Sequence, residues 1–152
     1  MPRSRVAPRS AQAAATRERI LTAAAELFAE RGFAATGIEA LCRRAGVVRT
    51  AIYWHFGSKD GLVVPVVERA AGVWIEEIQK AVYREGDPLA RLDRFLADLR
   101  DLVVERSQLV RLLLAVAVER AEADPAARAA LRSIGERAQA AIVQGVEDST
   151  GA

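Results

Sequence analysis

Five side chains able to recognise a charged or hydrogen-bonding partner crowd into one short stretch: Arg49, Thr50, Tyr53, Trp54 and His55. Arginine offers a planar fork of N–H donors that matches the two acceptors of a guanine edge. Threonine can touch a thymine methyl, and phenol and imidazole groups suit phosphate oxygens. The company that catalysis needs is missing. No nucleophile–base pair, no cluster with metal-ligand spacing and no glycine-rich phosphate loop accompanies them. His55 is the single histidine and Cys42 the single cysteine, so neither a metal nor a cofactor is expected. Recognition of a polyanion is the chemistry left to this cluster, and an enzyme is not expected.

Those side chains point outward together if residues 48–55 form a short helix that turns Ile52 and Phe56 inward. A second short helix precedes it. Thr36 with Glu39 three residues later has capping-box spacing, and Ile38, Leu41 and Cys42 give the helix an apolar face. Cys42 on that face is a core thiol, as free cysteines usually are. Between the two helices stands Ala45-Gly46-Val47, where glycine takes the positive φ of a tight turn. Ser58 is placed to cap a following helix with Lys59 in its first turn, a natural phosphate site. The pattern is a helix-turn-helix over about residues 37–56, its second helix sized for a major groove. The expected DNA-binding residues are Thr36, Val48, Arg49, Thr50, Tyr53, Trp54, His55 and Lys59. Arg49 and Thr50 read base edges or touch phosphates alone; Trp54 lies along the sugar-phosphate wall. Thr36 both caps its helix and meets a phosphate.

The charge distribution agrees. The net charge is +2, yet residues 1–62 hold ten Lys/Arg against five Asp/Glu, while the remainder holds twelve against fifteen. Positive charge gathers where a polyanion would dock. Half the chain is apolar with few aromatics and few glycines, which favours an all-α protein. Arg9 interrupts the only candidate secretory leader, and the longest apolar run, residues 112–118, is far too short to span a bilayer. No membrane association is expected, and a cytoplasmic location is.

Residues 1–15 mix Pro, Ser and Ala with three arginines and read as a disordered basic arm, either solvated or reaching phosphates. A first helix is predicted from Thr16 to about Arg31, with Ile20, Leu21, Ala24, Leu27 and Phe28 inward and Gly32 ending it. Another is predicted from Lys59 through Val82, kinked at Pro65. Asp87-Pro88 and Asp124-Pro125 each read as a cap followed by a first-turn proline, and open two further helices with one over about residues 108–121 between them.

Three blocks in this order, ERILTAAAELFAERGFAAT, IEALCRRAGV and AIYWHFGSKDGL, resemble the DNA-binding domain of the TetR family of transcriptional regulators from about Thr16 to Glu68. The resemblance implies an all-α fold: a three-helix head over residues 16–62 and a helical ligand-binding and dimerisation body over 63–152 that lacks the family's usual last helices. It implies phosphate contacts for Tyr53 and His55. It also implies double-stranded operator DNA as partner, a homodimer on a palindromic site, and an apolar effector in a pocket. Trp74, Ile78, Phe95, Leu99, Leu112 and Val116 are the candidate lining of that pocket, or plain core; Glu119 orients the ligand or stands at the rim. The expected function is a ligand-responsive repressor. Two alternatives stand beside it: a non-dimerising relative with weak accessory DNA binding, and a helical ligand-binding module with no DNA function.

Overall fold

The computed structural model describes residues 9–82, 87–104 and 107–150. The first helix, α1, spans Arg9–Arg31. Its buried stripe is Ile20, Leu21, Ala23, Ala24, Leu27 and Phe28, the spacing that keeps one helical face inward. It starts earlier than the sequence reading placed it. Residues 9–15 of the expected disordered arm are helical, because four alanines there have the highest helix propensity and Ser10 and Gln12 do not oppose it. Residues 1–8 of that arm lie outside the described residues. At the other end Gly32 takes φ +83° and its N–H donates to the Phe28 carbonyl at 3.0 Å, closing the helix.

Two short helices follow, α2 (Ile38–Ala45) and α3 (Arg49–Phe56). Gly46 ends α2 in the left-handed region at φ +62° and its N–H donates to the Cys42 carbonyl, which turns the chain sharply into α3. The start of α2 corrects the capping-box expectation. Gly37 is its N-cap, and no side chain caps it. Thr36 is wholly buried instead, and its hydroxyl lies 2.7 Å from the Gly32 carbonyl and 3.3 Å from that of Leu27. Its oxygen thus ties the loop to the end of α1 rather than to α2, and it is too deeply buried to meet a phosphate.

Ser58 Oγ accepts the Gly61 N–H at 3.0 Å, but the N-cap is Lys59, which therefore stands before the turn rather than within it. That turn is a single 3₁₀ turn, Asp60–Leu62, that runs into α4 (Val63–Val82). Because α4 begins at Val63 and not at Lys59, Pro65 falls in its first turn, where a missing N–H forfeits no intrahelical bond. The expected mid-helix kink has no cause. Gly61 is required by close approach, since a Cβ there would stand 2.0 Å from the Phe56 carbonyl oxygen.

The remaining helices are α5 (Pro88–Val104), α6 (Ser107–Arg120) and α7 (Pro125–Thr150). Asp87 accepts the Ala90 N–H at 3.2 Å, and Asp124 accepts those of Ala126 at 2.9 Å and Ala127 at 3.2 Å. Both aspartates cap, as their prolines predicted. All described elements are helical, with no strand among the described residues.

One core runs through head and body. Ile20, Phe28, Leu41 and Ile52 join Val63, Val67, Leu112, Val116 and Ile134 in a single buried cluster. Burying each such side chain contributes about 1.5–3 kcal/mol, so the head rests on α4, α6 and α7 as well as on itself. On α7, Ile134 joins the main core, and Ala141 meets Ile75 of α4 in a smaller cluster.

Candidate nucleic-acid interface

Ile52, wholly buried, anchors α3 from below, and the residues around it are thereby turned outward. Val48, Arg49, Thr50, Tyr53 and Trp54 are exposed, while His55 is half-buried against the Trp54 ring at 4.5 Å between centroids. Trp54 is 75% exposed, a large apolar surface to leave in water. Eight residues of helix extend about 12 Å, comparable with the width of a major groove. Seven of the eight residues predicted for this interface thus retain some exposure, and only Thr36 has none.

Lys59 is exposed in part but committed. Its ammonium lies 4.2 Å from the centre of the Phe33 ring and donates to the Ala34 carbonyl at 3.4 Å. Burial lowers its pKa below the ordinary lysine value, with Asp60 and Glu119 pulling it back up. A lysine so placed braces the loop before α2 rather than reaching outward. Sequence spacing had given it to a phosphate; the fold gives it to Phe33.

Ion pairs join the two reading helices to α1 and to each other. Arg44 of α2 reaches α1, donating to Glu26 at 2.8 Å and to both oxygens of Glu30 at 3.0 and 3.1 Å. These hydrogen bonds hold the Glu30 carboxyl below its ordinary range and raise the Arg44 guanidinium further. Arg49 pairs with Glu39, in the first turn of α2, at 3.2 Å. Glu39 entered the sequence reading only as a capping residue, and its proximity to Arg49 follows from the turn geometry between them.

A second polar cluster joins the head to the end of α6. Glu119 accepts the Ala34 N–H at 2.7 Å, which ties the end of α6 to the loop before α2. Arg120 pairs with Asp60 at 3.1 Å and with Asp124 at 3.7 Å, and its guanidinium lies 4.7 Å from the Phe33 ring centre. Partners 85 residues apart in sequence leave no local signal.

Of the six pocket candidates, Trp74 and Leu112 line a groove of about 400 Å³ between α1, α4 and α6, together with Thr22, Ala25 and Gln108. Val116 is fully buried in the main core. The side chains of Ile78, Phe95 and Leu99 lie outside the described residues. No group that could hold a metal occurs among the described residues, and no helix there is long and apolar enough to cross a membrane.

Comparison with known proteins follows the same lines. Residues 20–66 match the family model of bacterial regulatory proteins, tetR family. The chain is 32% identical over 97 residues to the HTH-type transcriptional activator FasR of Mycolicibacterium smegmatis, covering 64% of this chain and 44% of that one. To the HTH-type transcriptional regulator AcrR of Shigella flexneri it is 33% identical over 102 residues, covering 65% and 47%. The chain thus spans less than half the length of these curated relatives. A crystal structure of the TetR transcription regulatory protein from Mycobacterium vanbaalenii superposes with a TM-score of 0.57 at 30% identity, covering 90% of this chain and 81% of that one. With the reading helices, their turn and the shared helical body all accounted for, the chain belongs to the TetR family of bacterial regulatory proteins.

Proposed function

We propose that this protein is a cytoplasmic transcriptional regulator that binds double-stranded DNA by laying α3 in the major groove. The observation that carries the reading is the outward set Arg49, Thr50, Tyr53 and Trp54 on one short helix anchored by buried Ile52. Among the described residues these side chains stay exposed, Tyr53 at 45% and Trp54 at 75%. Arg49 and Thr50 contact base edges, Tyr53, Trp54 and His55 the backbone, and Val48 the groove wall at the entry to the helix. The protein acts as a dimeric repressor on a palindromic operator and answers to a small apolar effector. Such an effector shifts DNA binding only by its differential affinity for the two states.

The test is selection from random duplex DNA followed by affinity measurement across salt. A recovered two-fold site, with affinity falling steeply as salt rises, supports the reading. Arg49→Ala should then relax selectivity at one base pair per half-site by about 1–3 kcal/mol. Recovery of no preferred sequence at low salt would remove the claim of sequence-specific regulation.

A further inference from the structure

Five carboxylates lie in residues 1–62, and the structure gives each an arginine. Four of these pairs tie scaffold to scaffold. Glu18 of α1 holds Arg69 of α4, Glu26 and Glu30 of α1 hold Arg44 of α2, and Asp60 holds Arg120 of α6. Glu39 differs. Its partner is Arg49, the first residue of the helix that presents the reading side chains.

This pair has little to do with stability. Its two side chains are 58% and 77% exposed, and ion pairs so wetted contribute almost nothing to folding. Nor does Glu39 cap α2, whose N-cap is Gly37. A carboxylate placed beside the outward face of α3 also repels phosphates, so for general DNA binding it is a defect. Its geometry suggests what offsets the defect. One Arg49 nitrogen, Nη2, engages Glu39 Oε1 at 3.2 Å. The guanidinium carries five N–H donors, so the remaining ones still suffice for a bidentate contact to a base. An arginine held at one nitrogen keeps its fork in one orientation, whereas a free one swings to the nearest phosphate.

We propose that Glu39 is a positioning residue for DNA recognition: it orients the Arg49 guanidinium toward a base edge and opposes its capture by the phosphate backbone. The inference rests on the DNA-binding reading above and names a specificity determinant that acts through Arg49. Removing Glu39 frees Arg49 for phosphates, so non-specific affinity rises while discrimination at the base pair read by Arg49 falls.

The experiment compares wild type, Glu39→Ala, Arg49→Ala and the double variant on the selected operator, on single-base variants of it and on a scrambled duplex. Glu39→Ala should bind the scrambled duplex more tightly, with a salt slope steeper by about one unit per head. It should lose up to about fivefold in selectivity at one position per half-site, the ceiling set by an exposed pair. In the Arg49→Ala background the same change should leave selectivity untouched. Unaltered selectivity in Glu39→Ala, or an equal loss with and without Arg49, overturns the proposal. Circular dichroism melting should be the same for all four proteins. If wild type selects no site at all, the DNA-binding reading fails first, and that outcome is told apart by the wild-type arm alone.

Discussion

The face of α3 and the junction around Phe33 are made of the same kinds of residue and come to opposite ends. Each combines aromatic rings with basic side chains and a nearby carboxylate. On α3, Trp54 is 75% exposed and Arg49 pairs with Glu39 in an ion pair that stays open to solvent. At the junction, Phe33 is buried against Phe28 at 5.2 Å, Lys59 and Arg120 both lie over its ring, and Arg120 is 21% exposed. Cover makes the difference. The C-terminal end of α6 lies across the junction and desolvates it, so its charges must be paired there. Among the described residues nothing covers the outward face of α3. Basic and aromatic residues therefore signal an interface only where the fold leaves them uncovered.

Breaking the junction should cost most. Phe33→Ala removes a buried ring together with the surface on which two cations rest, and should destabilise the protein by about 3–5 kcal/mol, read from the midpoint of denaturant unfolding. A loss below about 1 kcal/mol would mean that the ring carries no packing and that the two regions differ less than their burial implies.

Gly32→Ala should come next. Its φ of +83° disfavours any side chain, and a Cβ there would stand 2.2 Å from Glu119 Oε1, displacing the carboxylate that receives the Ala34 N–H. A loss of about 1–3 kcal/mol is expected. Glu119→Ala in the same background should then add little, because the bond is already gone.

Lys59 sharpens the comparison through pH. Burial lowers its folded pKa, so between that value and the ordinary lysine value the unfolded chain holds more protons than the folded one. Stability should therefore rise with pH across that window, and the cost of the buried charge is fully present below it. Measured against Lys59→Met, wild type should gain relative stability as pH rises toward the ordinary lysine value. A difference that stays flat would place the ammonium in water.

Trp54→Ala should show the smallest effect on stability, within about 0.5 kcal/mol, since the indole is 75% exposed and its ring contact is with the neighbouring His55. The same substitution should weaken operator binding measurably. A thermal shift of several degrees would show instead that the indole belongs to the core.

Much was legible beforehand. The stripe of α1 and the turn at Gly46 were readable because each depends on residues within a few positions of one another. The caps at Asp87 and Asp124 were readable for the same reason. The outward set on α3 followed from the inward pair Ile52 and Phe56, of which Ile52 is wholly buried and Phe56 partly so. Local readings failed where two partners competed for one group. Thr36 has the spacing of a cap, yet the Gly32 carbonyl lies within its reach and the loop is buried. Lys59 has the place of a phosphate ligand, yet Phe33 folds back beneath it.

By itself the sequence determined the presence and order of the helices, the helix-turn-helix and the family to which its blocks belong, because propensity, periodicity and turn chemistry act over a few residues; where α1 and α4 begin it did not. The tertiary structure alone decided which charged side chains are spent and which remain free. It brought Glu119 to Ala34, Arg120 to Asp60 and Glu39 to Arg49. Such pairings depend on how helices cross after the apolar core has closed, and no local pattern encodes that.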